Sequence, residues 1–178
     1  GLHVYAEHDD VLDVNLIGSP LQLKKILVNL YGNSIKYNKP QGAIYTSLRE
    51  LERSETSVSY EFKIRDTGIG MTKEFIETRL YEPFIQGENA GRSQYGGTGL
   101  GMSIVKQLVE RMHGSIQVES TPGVETCFTV ILPFAIDPNP PQRRKRLENA
   151  DISGKRILVV EDNELNMEIA EYILKEAG

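Results

Sequence analysis

"QYGGTGLGMSIVKQLVERMHG", residues 94–114, sets Gly96, Gly97, Gly99 and Gly101 directly against an amphipathic helical pattern. Glycine admits positive φ and lets a backbone approach a ligand closely. Successive peptide N–H groups in such a turn form an anion-binding nest. A helix that begins there turns the positive end of its dipole to the same point, and together they make a phosphate site. The same letters also read as a flexible loop followed by a core helix, and a short glycine motif does not separate the two. Its neighbours do.

Upstream, "SPLQLKKILVNLYGNSIKY", residues 19–37, reads as a helix capped by Ser19, with Pro20 in its first turn and an apolar stripe of Leu23, Ile26, Leu27, Leu30 and Ile35. Asn29 and Asn33 lie four apart on one face, with Lys36 a turn further on. Amide oxygens are hard neutral ligands suited to Mg²⁺, which takes few protein ligands beside waters and phosphate oxygens; Lys36 would offset phosphate charge. Asparagine also sits on solvated faces as a poor helix former, but two inside an apolar helix cost propensity, which favours a paired role. In "RDTGIGM", residues 65–71, Asp66 ends a strand with glycines behind it and is placed to accept from an exocyclic amine; alone it is an ordinary Asp turn. In "ETCFTVILPF", residues 125–134, Thr126 opens a strand and would bring a hydroxyl to the same pocket, or would be a solvated strand residue.

Around these motifs the pattern gives short strands at residues 3–7 and 11–17 and a hairpin of "GAIYTSLREL" and "SVSYEFKIRD" turned by "ERSET". A short helix follows at 72–80, then a polar, glycine-rich loop at 85–98 and the second long helix at 99–113, closed by Gly114. "SIQVEST" and "ETCFTVILPF" are two more strands, turned by Pro122 and Gly123. After Phe134 a proline-bearing, basic stretch reads as a linker over 136–154. "KRILVVEDNELNMEIAEYILKEAG" then reads as a buried strand, a loop and a helix, the opening of an α/β unit at 155–178.

The chain has 178 residues, 39% hydrophobic and 25% charged, which suits a soluble globular protein of one domain and a remainder. A net charge of −5 argues against nucleic-acid binding. The single cysteine, Cys127, excludes a disulfide framework and a Cys-rich zinc site, suits a reducing cytosol and reads as buried packing. No apolar run reaches the roughly 18 residues needed to span a membrane, and no signal peptide is expected among these residues. Residue 1 is Gly rather than Met, so a piece of a longer protein is expected.

Four segments in this order resemble the catalytic ATP-binding domain of sensor histidine kinases, within the superfamily shared with DNA gyrase B, Hsp90 and MutL. "LVNLYGNSIKY" is similar to the N box, "DTGIGM" to the G1 box, "YEPF" to the F box and "GGTGLGMSIVKQLVERMHG" to the G2 box. "ILVVEDNELN" resembles the first strand and acidic loop of a receiver domain, an order that implies a hybrid kinase. The resemblance implies a two-layer α/β sandwich, a mixed sheet with helices on one face, over residues 1–135. It implies ATP and Mg²⁺ as ligands: Asn33 holds Mg²⁺ through the phosphates with Asn29 in the same site, and Lys36 and Tyr37 line the phosphate and ribose side. Asp66 reads the adenine amino group, Gly68 and Gly70 shape that pocket, and Thr126 stands near adenine. Gly97, Thr98, Gly99, Leu100 and Gly101 form the phosphate turn, residues 85–98 the lid, and Phe84 its base.

The implied reaction is transfer of the γ-phosphoryl to a histidine on a separate dimerisation domain, in the cytoplasm, with a receiver downstream and no nucleic-acid or membrane contact. His3, His8 and His113 lack the context of an acceptor, so nucleotide binding without autophosphorylation is expected. Asn29 stands where the hydrolysing relatives carry Glu, which favours a kinase over an ATPase. Gln86, Ser93 and Gln94 depart from the usual lid cations and leave Arg92 there. Glu161 and Asp162 match the receiver's acidic pair, but with the accepting Asp expected beyond residue 178 the pair has no site to complete here and reads as solvated loop carboxylates.

Overall fold

The computed structural model describes residues 1–8, 15–85, 99–139, 157–160 and 164–176. The chain divides into two units, Gly1–Pro138 and Asn139–Gly178. The first holds strands β1 (His3–His8), β2 (Leu16–Ile17), β3 (Ala43–Arg53), β4 (Ser57–Asp66), β5 (Ser115–Thr121) and β6 (Glu125–Ile136), with helices α1 (Pro20–Lys36), α2 (Lys73–Thr78) and α3 (Gly101–Arg111). One six-stranded sheet runs β1-β3-β4-β6-β2, and β5 also pairs with β6. β1 lies parallel to β3 and the other pairings are antiparallel. This is the mixed, helix-covered α/β fold that the sequence leads one to expect.

Alternation along the strands assigns the faces. Ile44 on β3, Val58, Tyr60 and Ile64 on β4, and Phe128, Val130, Leu132 and Phe134 on β6 are buried against Ile26 and Leu30 of α1 and Met102, Val105 and Val109 of α3. Both long helices therefore cover one face. Ser19 caps α1, its Oγ accepting from the Gln22 N–H at 3.3 Å, with Pro20 in the first turn. Thr72 caps α2 in the same way, from the Phe75 N–H at 3.2 Å.

Several elements differ from their sequence reading. Ile35 is exposed, and Ser34 takes its place in the inward stripe with Ile26 and Leu30. At about 100° per residue, positions four apart stack on one another, while Ile35 lies half a turn from Ile26. β3 runs on to Arg53 through a bulge at Leu51, and Arg53 Nε pairs with Glu50 at 2.5 Å across the bend. The second strand is two residues long, and the acidic turn before it lies outside the described residues. α3 starts at Gly101 rather than residue 99, and His113, not Gly114, takes the left-handed conformation at its end, with φ 57.

The second unit holds helix α4 (Glu164–Glu176). The strand expected at "ILVV" does not form: residues 157–160 carry no strand assignment, and Leu158 and Val160 are 87% and 86% exposed. A parallel strand needs neighbours on both edges and cover on both faces to be buried, and none pairs with it among the described residues. Glu161, Asp162 and most of the 136–154 linker lie outside the described residues.

Candidate functional site

Even-numbered residues of β4, β5 and β6 face the helices, and at one end of the sheet these rows turn polar. Asp66 ends β4 and is register partner to both Ile44 on β3 and Thr126 on β6, which in turn faces Ser120 on β5. Asp66 and Thr126 are 4% and 6% exposed. Asp66 Oδ2 accepts from the Ser34 hydroxyl at 2.9 Å, and Oδ1 from the Gly68 N–H at 2.9 Å. Burial pushes the Asp66 carboxyl above the usual range; the Gly68 and Ser34 donors pull it back, and the charge of Glu125 adds to the rise. The Ser120 hydroxyl donates to the Glu125 carbonyl at 2.7 Å and accepts from the Met71 N–H at 2.8 Å. Its one proton is thus engaged, and Thr126 donates across the 3.0 Å between the two hydroxyls.

The turn after Asp66 is clamped from both sides. Ile69 N–H donates to the Tyr37 carbonyl at 3.0 Å, and Gly123 N–H to the Ile69 carbonyl at 2.7 Å. Gly68 lies against the Tyr37 carbonyl and Gly70, at φ 65, against the Thr121 carbonyl, each too close for a Cβ. The two glycines let the turn lie between the end of α1 and the β5–β6 turn.

The amide face of α1 borders its buried stripe. Asn29 Nδ2 donates to the Lys25 carbonyl at 2.8 Å. Its Oδ1 faces the start of α3, where a Cβ on Gly101 would come within 2.8 Å of it. Asn33 is half-buried one turn on, and Lys36 Nζ lies 4.8 Å from the centre of the Tyr37 ring. Tyr37 closes the helix, its N–H on the Asn33 carbonyl at 2.9 Å. The N and G2 motifs, some seventy residues apart in sequence, thus meet at Asn29 and Gly101.

Gly99 has φ 68, and its carbonyl accepts from the Phe84 N–H at 3.1 Å. A Cβ at Gly99 would stand 2.7 Å from the Phe84 carbonyl carbon. Phe84, itself at φ 64 and three-quarters exposed, joins Gly99 at the base of the glycine-rich segment. Leu100 is the N-cap residue of α3 and supplies no side-chain cap. Gly97 and Thr98, with Gln86, Arg92, Ser93 and Gln94, lie outside the described residues.

Sequence reasoning overlooked two hydroxyls, Ser34 and Ser120. The signal for each was a small polar residue at a buried position of a periodic row: Ser34 follows Ile26 and Leu30 at spacing four, and Ser120 follows Ile116 and Val118 at spacing two. A buried hydroxyl needs a partner. A separate apolar groove of about 560 Å³ runs along α1 between Pro20 and Ile35 and includes none of the site residues. Its lining is almost wholly apolar, whereas the strand-end cluster gathers a carboxylate and three hydroxyls.

The chain belongs to the histidine kinase-, DNA gyrase B- and HSP90-like ATPase family, whose model matches residues 18–136. It is 37% identical over 168 residues to the sensor histidine kinase GacS of Pseudomonas protegens, covering 93% of this chain and 17% of that protein. The circadian input-output histidine kinase CikA of Synechococcus elongatus is 36% identical, with 86% and 20% covered. The autoinducer 2 sensor kinase/phosphatase LuxQ of Vibrio harveyi is 32% identical, with 98% and 21% covered. The chain thus spans about a fifth of the length of these curated relatives. Among solved structures, the catalytic domain of histidine kinase ThkA superposes with TM-score 0.59 at 22% identity, covering 74% of this chain and 78% of that one. Full-length ShkA in complex with AMPPNP gives 0.61 at 23% identity, covering 100% and 34%.

Proposed function

We propose that this chain is the ATP-binding catalytic domain of a hybrid sensor histidine kinase, placing Mg-ATP for transfer of the γ-phosphoryl to a histidine on a separate dimerisation domain. The observation that carries the reading is the buried Asp66 carboxylate at the sheet end, tied by Ser34 and Gly68 beside the Thr126 hydroxyl. A carboxylate so held accepts from the exocyclic amine of adenine. Gly68 and Gly70 bound that pocket, and Thr126 stands beside it. The Asn29–Asn33–Lys36–Tyr37 face and the Gly99–Leu100–Gly101 start of α3 then take the ribose and phosphate side.

Among the described residues no cluster of three or more His, Cys, Asp or Glu could cage a metal. The half-buried Asn33 amide beside Asn29 fits a cation held mainly by phosphate oxygens and water, as Mg²⁺ prefers. When bound, Mg²⁺ would neutralise charge building on the phosphates. Lys36 and the peptide N–H groups at the start of α3 would do the same from the protein side. The reaction exchanges the β–γ phosphoanhydride P–O bond for an N–P bond on the acceptor histidine and releases ADP. An amide at Asn29 is a poor base for water, which favours transfer over hydrolysis. We read residues 155–178 as the start of a receiver domain and the site of action as the cytoplasm. No helix among the described residues is long and apolar enough to cross a membrane.

The test is calorimetric titration of the 178-residue chain with a non-hydrolysable ATP analogue and with GTP, with and without Mg²⁺. Mg²⁺-assisted binding of the adenine form is expected; equal binding of both purines, or of neither, would overturn the assignment. Adding a histidine-bearing dimerisation domain should then give a phosphohistidine. ATP binding without transfer to any such domain would leave a nucleotide-sensing module instead.

A further inference from the structure

We infer that Ser34 is a positioning residue for purine recognition, holding the Asp66 carboxylate as an oriented acceptor that selects 6-amino over 6-oxo purines. The inference rests on the adenine reading above. Ser34 is fully buried, in a helical stripe otherwise made of Ile26 and Leu30. A serine inside a helix ordinarily bonds back to the carbonyl one turn earlier. This hydroxyl instead reaches out of the helix to Asp66 Oδ2, at 2.9 Å, across 32 residues of sequence.

The two carboxylate oxygens are thus tied by donors from different elements, Ser34 of α1 on Oδ2 and Gly68 of the following turn on Oδ1. Two ties from two directions fix the rotation of the carboxyl group and leave each oxygen further accepting capacity. Donation from Ser34 also suits the ionised form: charge-assisted bonds of this kind are stronger than neutral ones. A protonated Asp66 would add an O–H donor, which a 6-oxo group can accept, and would blur the choice between the two purines. A 6-amino group donates to the held oxygen, whereas a 6-oxo group sets acceptor against anion and leaves a buried charge unmatched.

The other groups around Asp66 do not supply this control. Glu125 on β6 opposes its ionisation and is itself 3.7 Å from Arg65. Ile44 of β3, residues 67–72 and Ser120 of β5 bring no ionisable side chain near neutral pH, and Lys24, Lys25 and Lys36 of α1 are not among the groups that shift the Asp66 carboxyl.

The experiment titrates the full 178-residue chain with ATP, inosine triphosphate and purine riboside triphosphate, which lacks a 6-substituent, across the acidic to neutral range. Ser34→Ala removes one oxygen and leaves a strong helix former, so the fold is retained. It should lower the ATP-over-inosine-triphosphate preference about ten-fold or more, mainly by weakening ATP. Affinity for the purine riboside form should stay within about two-fold, and the pH at which ATP affinity declines should move up. In an Asp66→Asn background the same change should have no further effect on preference. An unchanged preference and pH profile, equal weakening of all three ligands, or an additive effect in the Asp66→Asn background would each overturn the role of Ser34 alone. A wild-type chain that fails to prefer ATP would overturn the adenine reading and this inference with it.

Discussion

Asp66 carries opposed demands in one side chain. Acceptance from an amine is strongest in the ionised form, while burial favours the protonated one and raises the pKa. A raised folded pKa means that the folded chain holds the proton more tightly. Stability is then fully present below the ordinary aspartate pKa and is lost as pH rises through the raised value. ATP affinity should move the opposite way, falling as pH drops through that same value. Asp66→Asn should remove both slopes and weaken ATP about ten- to a hundred-fold, the worth of a hydrogen bond to a charged group; denaturation and calorimetry over the acidic range would check it. ATP affinity equal to wild type would remove Asp66 from the site. Gly99 is the second decisive residue. An alanine there meets the Phe84 backbone at a positive φ and should cost about 1–3 kcal/mol in denaturant unfolding, with loss of nucleotide binding. Wild-type stability would mean that the turn can relax. The carboxylate and the glycine were legible in sequence because each belongs to a spaced motif. Ser34 and Ser120 were not, since a lone serine declares itself only once the row it occupies is known to be buried.

At the level of elements, α1 has the greatest leverage, because it carries the Asn29–Asn33 face, the Ser34 hydroxyl and the Ile26–Leu30 packing stripe together. Ser19→Ala should cost about 1 kcal/mol by unpairing the Gln22 N–H. Leu30→Ala, at a fully buried position, should cost about 2–5 kcal/mol. Denaturant midpoints would separate the two: the cap loss is local and small, and an equal loss would mean that α1 is held by its end rather than its stripe. The sequence declared α1 clearly, through its cap, its proline and its period. It misassigned Ile35 because apolar letters were counted without following the 100° step around the helix. The β3–β4 hairpin was recognisable from alternation, yet its turn was drawn too wide. The extra residue at Leu51 breaks the alternation while the Glu50–Arg53 pair continues the strand beyond it. The apolar run at 157–160 failed as a strand for a different reason, that hydrophobicity proposes burial but only paired neighbours provide it.

For the molecule as a whole, the distribution of the core sets what can be removed. Among the described residues, the buried cluster and its partly buried packing lie between Leu2 and Ile136, within the unit Gly1–Pro138. The strand-end cluster of Asp66, Ser34, Ser120 and Thr126 and the Asn29–Gly101 junction lie within it as well. A chain ended after Pro138 should therefore keep the unfolding midpoint and nucleotide affinity of the longer one. The second unit should instead dominate colloidal behaviour. Leu158 and Val160 are almost fully exposed, and unpaired apolar backbone of this kind is a template for pairing with another chain. The 178-residue protein is expected to associate as its concentration rises, and the chain ended after Pro138 to stay monomeric, by light scattering over the same range. Association that survives the truncation would place the sticky surface on the first unit, where the outward Leu21, Val28 and Ile35 of α1 are the exposed apolar side chains to replace first. A lowered midpoint after truncation would show that residues beyond Pro138 contribute to the stability of the first unit.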